Sequence, residues 1–194
     1  FNLLPIHLPH KYLIGTLILD KYPSIHLVVN KFAQIENLYR ICPVQIIGQR
    51  NRPILNGDFK GLEPKVDVSL LDISQKSGRD EYDPKDPFWT TVREHSHRFS
   101  FHFDRCYWNS RLSTEHRRLI ARFELHSTVC DLFCGIGPFV IPSLKERQSF
   151  IISNDLNPNS IQYLRWNLEH NSLDEEKKKL IGPIYNGDAR KVVR

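Results

Sequence analysis

The pattern of apolar and polar positions predicts one helix and three strands in the first half of the chain. Apolar residues recur every three to four positions over residues 10–20, which is the spacing of a helix face. Short runs rich in β-branched residues predict strands at 25–30 and 43–48. Aromatic and polar residues alternate at 98–104, which predicts a further strand.

The stretch at residues 49–88 has a different composition. It combines prolines and glycines with many charged residues, which is typical of irregular structure. We therefore expect an insertion or a long loop here, with one strand at 66–71.

In the second half of the chain, predicted strands and helices alternate. Strands are predicted at 129–133, 149–154 and 184–186, and helices at 117–125, from Pro138 onwards and at 157–171. Ser113 or Thr114 is suited to cap the first of these helices. The alternation predicts an α/β domain with a parallel sheet over 111–194, and residues 1–110 are predicted to form a smaller α+β domain.

Composition narrows the classes of function. The 194 residues carry a net charge of +5, which permits an acidic partner such as nucleic acid without requiring one. No apolar run approaches the roughly 18–20 residues that span a bilayer, so a membrane protein is not expected. The sequence contains no methionine, and we expect a piece of a longer protein that lacks both ends.

Cysteines and histidines do not form a recognisable metal or disulfide pattern. The four cysteines include no C-x-x-C pair, which predicts reduced thiols in a reducing compartment. The nine histidines show no closed set of four ligands at the spacing of a zinc site, so no metal is predicted.

The clearest chemical signal is a glycine turn that directly follows a strand. Asp131 ends the predicted strand, and Gly135 and Gly137 open the next helix, so that backbone N–H groups can approach a ligand closely. Asp155 lies 20 residues after Gly135 at the end of the second strand, and Asp188 follows the third. Three acidic groups are therefore predicted along one carboxyl edge of the sheet.

The residues of this turn discriminate between two nucleoside cofactors. A dinucleotide fingerprint has a third glycine where Val140 stands, and an acidic strand end suits a positively charged ligand. Both features favour S-adenosyl-L-methionine over NAD. An α/β domain without a cofactor is the remaining alternative.

A second signal lies in residues 106–116, just before the cofactor half. This segment crowds aromatic, polar and charged groups, among them Tyr107, Trp108 and Glu115. Taken alone, it is typical of a segment that caps a helix and places Trp108 in a domain interface.

Three motifs, in order, resemble one enzyme family. The residues YWNSRLSTEH at 107–116, DLFCGIGPFVIP at 131–142 and NDLNP at 154–158 are similar to the archaeal and eukaryotic type of tRNA (guanine-37-N1)-methyltransferase. The segment at 8–31 extends the resemblance towards the start of the chain. The resemblance implies the N-terminal half of a Rossmann-like class I methyltransferase domain, preceded by the middle domain of the family.

The resemblance also implies an activity and its setting. A methyl group of S-adenosyl-L-methionine would be transferred to N1 of guanosine 37, in the anticodon loop of tRNA. The enzyme would be a monomer of the cytoplasm, the nucleus or the mitochondrial matrix. Glu115 would be the general base at N1, with a pKa raised towards neutrality. Arg40 would stabilise charge at O6, and Tyr107 would contact the extruded base.

Eight residues are implied to line the cofactor: His116, Asp131, Gly135, Gly137, Asp155, Leu156, Asp188 and Ala189. Among them, Asp155 would accept the ribose hydroxyls, Asp188 would accept from the adenine amino group, and Asp131 would face the methionine end.

Two alternatives remain open from the sequence. The related wybutosine-pathway aminocarboxypropyltransferases share the fold and the cofactor but tend to carry tyrosine where Pro138 stands, so Pro138 favours the methyltransferase branch. A catalytically silent RNA-binding piece is the other alternative, because the half of the family's domain that completes the base pocket would follow residue 194.

Overall fold

The computed structural model describes residues 5–31, 37–41, 43–50, 86 and 88–193. Contacts divide the chain into two compact units, the first formed by 1–34 with 43–87 and the second by 35–42 with 88–194. This division falls near residue 87, and the predicted domain boundary at residue 110 stays a prediction. Most of the predicted insertion at 49–88, including the predicted strand at 66–71, lies outside the described residues.

The first unit is a helix packed on an antiparallel strand pair. Its elements are α1 (Lys11–Lys21), which follows a 3-10 turn at Pro5–His10, β1 (Leu27–Lys31) and β2 (Val44–Gln49). The helix and both strands confirm the predictions from the apolar pattern. Leu19, Val28 and Ile47 form the buried centre, and the Arg50 guanidinium donates to the carbonyl groups of Leu19 and Ile25.

Gly15 lies at a close contact between α1 and β2. A Cβ atom at this position would stand 2.0 Å from the carbonyl oxygen of Ile47 and 2.5 Å from its carbonyl carbon. Both are backbone atoms, which cannot rotate away as a side chain could. We expect Gly15→Ala to lower the free energy of unfolding of this unit by about 1 to 3 kcal/mol. Urea titration combined with hydrogen exchange of the α1, β1 and β2 amides measures the change.

Gly187→Ala is the matched control for this substitution. A Cβ atom at Gly187 would meet no atom within 4 Å, so a change below about 0.5 kcal/mol is expected. Equal stability of Gly15→Ala and the wild-type protein would contradict the close packing of α1 on β2.

The second unit begins with a hairpin of β3 (Trp89–Glu94) and β4 (His97–His102). The strand predicted at 98–104 is confirmed as β4. Its partner β3 was not predicted, because residues 89–94 show no alternation of apolar and polar residues that would mark them as a strand.

The remainder of the second unit is a three-stranded parallel sheet with its connecting helices. Its elements are α2 (Ser113–Ile120), β5 (Thr128–Asp131), α3 (Val140–Pro142), β6 (Phe150–Asp155), α4 (Pro158–Glu169), α5 (Glu175–Lys178), β7 (Ile181–Asn186) and α6 (Ala189–Val192). The strand order β5-β6-β7 confirms the predicted parallel α/β sheet.

Two helix starts differ from the predictions. The helix predicted at 117–125 begins at Ser113, so Ser113 and Thr114 lie inside it and neither caps it. A 3-10 turn at Ser110–Leu112 runs directly into α2, and the Ser113 N–H donates to the Ser110 carbonyl. The helix expected from Pro138 begins at Val140 and widens into a π-helical turn at Ser143–Arg147. Pro142 has no N–H to donate within it.

Side-chain amides of α4 fix the hairpin to the sheet. The Asn167 Oδ1 accepts the Ser100 N–H at 2.8 Å, and the Asn171 amide exchanges two hydrogen bonds with the backbone of Arg98. Apolar residues of β4 therefore join the core of the sheet, with Phe99 and Phe101 fully buried. None of the helices in these described ranges is long and apolar enough to cross a membrane.

Candidate active site

The carboxyl ends of the three parallel strands meet at one edge of the sheet. Asp131 pairs in register with Ser153, and Asp155 pairs with Asn186, so successive strand ends lie side by side. Asp188 follows as the residue that caps α6. The predicted alignment of acidic residues along this edge is confirmed.

Asp155 joins the glycine turn to the start of α4. Its Oδ2 accepts the Gly135 N–H at 2.8 Å, and its Oδ1 accepts the Asn157 N–H at 2.8 Å. Burial raises the pKa of Asp155, and these two hydrogen bonds act in the opposite direction because they favour the charged form. Each oxygen retains a lone pair for a further donor.

Two asparagines, which are not among the predicted site residues, join the loops that follow β5, β6 and β7. The buried Asn154 donates to the carbonyl groups of Leu132 and Gly187, both at 3.0 Å. Asn186 donates to the carbonyl groups of Asp155 and Leu156. The position of an asparagine at the end of each of two strands was the sequence signal for this role. The partners of Asn154, however, lie 22 and 33 positions away in the sequence.

The glycine turn presents open backbone at this edge. Gly135 has a φ of +52°, and a Cβ atom there would meet nothing within 4 Å. The Gly137 N–H closes the turn by donating to the Cys134 carbonyl at 2.9 Å. A ligand can therefore approach the backbone at Gly135.

Asp131 carries an unpaired polar atom within this site. Its Oδ1 accepts the Phe133 N–H at 3.2 Å, whereas its Oδ2 is buried and has no partner among the described residues. Burial, reinforced by the nearby Asp155 carboxylate, raises the pKa of Asp131 to about 6. A cation at Oδ2 would satisfy both the charge and the missing hydrogen bond.

The unpaired Asp131 carboxylate should destabilise the protein without ligand above pH 6. Because the folded pKa of about 6 exceeds the ordinary value of 3.8, the free energy of unfolding falls as pH rises between these values. We expect Asp131→Asn to be more stable than wild type at slightly alkaline pH by about 1 to 2 kcal/mol. The difference should vanish near the ordinary aspartate pKa. Urea unfolding at the two pH values measures it, and a constant difference would contradict this account.

The remaining residues predicted to line the cofactor lie at the same edge. The Asp188 carboxylate accepts the Arg190 backbone N–H at 3.0 Å and also accepts from the Arg190 guanidinium, and these hydrogen bonds lower the pKa of Asp188 to about 2. Ala189 begins α6, and the half-buried Leu156 follows Asp155. Their contacts with a cofactor stay predictions.

His116 is buried beside the glycine turn. Its Nδ1 lies 3.0 Å from the Oε2 of the buried Glu94, and its ring contacts Phe139 edge-on at 5.0 Å between centroids. Glu94 could not be identified as a partner of His116 from the sequence, because 22 positions separate the two residues.

A cavity of about 220 Å³ lies between the hairpin turn and α2. Residues of the hairpin turn, His116, Arg117, Pro138 and Glu146 are among those that line it. The strand-end carboxylates are not among its lining residues, so this cavity is distinct from the acidic edge. No cluster of three or more metal-ligating side chains occurs in the part of the chain that the structure describes.

Glu115 is on the exposed side of α2 and forms an ion pair with Arg118. The Arg118 Nε lies 2.6 Å from the Glu115 Oε2, and a second contact joins Nη2 to Oε1. The Arg118 hydrogen bonds lower the pKa of Glu115, so the expectation of a raised pKa is wrong for this arrangement. Charge stabilisation by a guanidinium outweighs desolvation, because the carboxylate is exposed.

Arg40 and Tyr107 come together although 67 positions separate them in the sequence. The guanidinium carbon of Arg40 lies 5.3 Å from the centroid of the Tyr107 ring, which is a cation–π distance. Asn37 closes the turn that presents Arg40, because its Oδ1 accepts the Ile41 N–H at 2.8 Å. Arg40 itself has a φ of +57°, an uncommon conformation for a residue other than glycine.

The chain is similar to a protein family and to several known proteins. Residues 90–194 match the family model described as the TRM5/TYW2 methyltransferase domain. A tRNA (guanine(37)-N(1))-methyltransferase of Schizosaccharomyces pombe is 34% identical over 193 residues, which is 100% of this chain and 34% of that protein. The chain spans about a third of the length of the curated relatives it matches.

Solved structures share the fold. The crystal structure of wild-type Trm5b from Pyrococcus abyssi matches with a TM-score of 0.67 at 22% identity, covering 98% of this chain and 45% of that chain. The complex of aTrm5 and tRNALeu matches with a TM-score of 0.62 at 20% identity, covering 91% and 40%. Since the family model covers more than half of the residues, the chain belongs to the TRM5/TYW2 methyltransferase domain family.

Proposed function

We propose that the protein that carries this chain is a tRNA methyltransferase, which transfers the methyl group of S-adenosyl-L-methionine to N1 of guanosine 37. The observation that carries the proposal is the glycine turn held by Asp155 next to the buried, unpaired Oδ2 of Asp131. This arrangement suits a nucleoside with a cationic tail. The name of the Schizosaccharomyces pombe relative supports the reaction, and the complex of aTrm5 with tRNALeu supports tRNA as the partner.

The residues at the sheet edge fit S-adenosyl-L-methionine. Asp131 offers an acceptor without a partner to the ammonium group, and the open face of Gly135 admits the ligand to the backbone. Asp155 retains lone pairs for the ribose hydroxyls after binding two backbone amides. When bound, the cofactor supplies an electrophilic methyl group on its sulfonium.

The residues before the sheet would prepare the guanine for attack. Glu115 accepts the proton of N1, which makes N1 nucleophilic, and Arg40 stabilises the negative charge that develops at O6. Tyr107, which contacts Arg40, packs on the extruded base. The site residues would hold N1 and the methyl carbon of the cofactor in line, so that much of the acceleration would come from positioning.

The experiment that tests this function uses the protein encoded by the complete reading frame that carries these residues. It is incubated with an unmodified tRNA transcript and S-adenosyl-L-methionine, and the nucleosides are analysed by mass spectrometry. We expect N1-methylguanosine from the transcript with guanosine 37 and none from a transcript with adenosine 37. A mass gain of an aminocarboxypropyl group would assign the related activity instead. No product with either mass would support the silent RNA-binding alternative.

The monomeric state and the compartments proposed from the resemblance stay predictions.

A further inference from the structure

The ion pair of Glu115 and Arg118 is of a kind in which a ligand can replace either partner. The two residues lie one helical turn apart on α2, and two contacts join the guanidinium to both carboxylate oxygens. The side chains are 47% and 45% exposed, respectively. An exposed pair of this kind contributes little free energy, so a competing ligand can take either partner.

The charges around Glu115 are predominantly positive. Arg118, Arg122 and His116 all act on its carboxylate, and in each case the effect favours the charged form. Two neighbouring elements add further groups, namely the exposed Arg111 in the preceding 3-10 turn and His95 of the hairpin turn, which contacts Ser113 at 3.5 Å. The Glu94 carboxylate pairs with His116, which leaves three guanidinium groups, those of Arg111, Arg118 and Arg122, around the Glu115 carboxylate. The surface therefore attracts an anion, and a guanidinium matches the geometry of a phosphate diester.

Pairing with Arg118 works against the role proposed for Glu115. A base that removes a proton from guanine N1 is more effective when its own proton affinity is high. Arg118 lowers the pKa of Glu115, so the paired carboxylate is a weaker base than an unpaired one. A release mechanism would remove this conflict.

We propose that Arg118 is a positioning residue that holds Glu115 in the protein without RNA and passes to a backbone phosphate of the bound tRNA, which releases Glu115 towards guanine N1. This inference rests on the proposed function. A phosphate diester replaces the carboxylate as the partner of the guanidinium, and the released carboxylate accepts the N1–H of guanine.

The first test measures binding of unmodified tRNA as a function of salt. Loss of one phosphate contact in Arg118→Gln should reduce the slope of log affinity against log salt by about 0.7 to 0.9. The matched control is Lys178→Gln. This substitution removes one positive charge from another exposed ion pair, that of Lys178 with Glu175, whose residues are also three positions apart. We expect the control to keep the wild-type slope. An unchanged slope in Arg118→Gln would overturn the proposal.

The second test compares two pH profiles of methyl transfer in Arg118→Gln and the wild-type protein. The acid limb of kcat/KM reports the free enzyme, and that of kcat reports the complex. Removal of Arg118 raises the pKa of Glu115 only in the free enzyme, because the two residues are paired there and not in the complex with tRNA. The kcat/KM limb should therefore move to higher pH, while the kcat limb stays in place. A shift of both limbs would mean that Arg118 stays on Glu115 in the complex, and a shift of neither would exclude the pair from the reaction; both results overturn the proposal.

Failure of the proposed function is distinguishable from failure of this inference. A wild-type protein that binds tRNA but transfers no methyl group removes the pH test and the proposed function together. The salt test still reports on the Arg118 contact with phosphate in that case. Normal methyl transfer by the wild-type protein together with an unchanged salt slope in Arg118→Gln would overturn the inference alone.

Discussion

Glu115→Gln is expected to reduce kcat for methyl transfer by about 100- to 10,000-fold, which is the usual contribution of a general base. Glutamine keeps the size and shape of the side chain but cannot take the N1 proton. Because Glu115 lies on the exposed side of α2, whereas Asp155 holds the glycine turn, cofactor affinity should change by less than about threefold. Single-turnover kinetics on a tRNA transcript and calorimetric titration of S-adenosyl-L-methionine measure the two quantities.

Glu175→Gln is the control for this change. Glu175 is also an exposed glutamate that forms an ion pair with a basic residue three positions on, here Lys178. It lies on α5, and its substitution should leave both quantities at wild-type values. A Glu115→Gln protein that retains more than about a tenth of the wild-type rate would exclude Glu115 as the base.

Asp155→Ala is expected to weaken binding of S-adenosyl-L-methionine by about 30- to 1,000-fold, corresponding to roughly 2 to 4 kcal/mol. The substitution removes the acceptor from two backbone N–H groups, those of Gly135 and Asn157, and removes the acceptor proposed for the ribose hydroxyls. The glycine turn and the start of α4 then lose their common anchor. Calorimetric titration measures the affinity, and thermal unfolding measures the accompanying loss of stability.

Asp174→Ala separates the site effect from the general loss of a helix cap. Asp174 caps α5 by accepting the Lys177 N–H at 2.8 Å, so the lost contact is of the same kind. Cofactor affinity should stay at the wild-type value in this control. Binding by Asp155→Ala within about threefold of wild type would contradict the assignment of Asp155 to the cofactor site.

The parallel sheet and its acidic edge could be predicted because their signals are local. The strand that ends at Asp131 and the turn at Gly135 are recognisable from a few consecutive residues. The strand that ends at Asp155 is recognisable because Asp155 follows Gly135 by 20 residues. The pairing of Glu115 with Arg118 is also local, at a separation of three positions on one helix. The ion pair is therefore predictable from the spacing of the two residues, and it lowers the pKa of Glu115, which is opposite to the direction expected for the general base.

The contacts that complete the candidate site are long-range. The cation–π contact between Arg40 and Tyr107 spans 67 positions, and the clamp of Asn171 on Arg98 spans 73. No periodic pattern in the sequence predicts such a contact. Each of these residues, taken alone, is equally compatible with an exposed position. The same reason hid β3, which is a strand by virtue of its pairing with β4.

The sequence by itself determined the α/β class, the glycine turn, the acidic strand ends and the resemblance to a methyltransferase family, since these depend on residue order over short distances. Only the tertiary structure decided which oxygens of Asp155 and Asp131 already accept hydrogen bonds and which can accept one from a ligand. It also decided that Arg118 forms an ion pair with Glu115. Hydrogen-bond saturation and burial are properties of the packed chain. They decide the charge of a carboxylate and the ligand that it can accept, and residue identity alone does not.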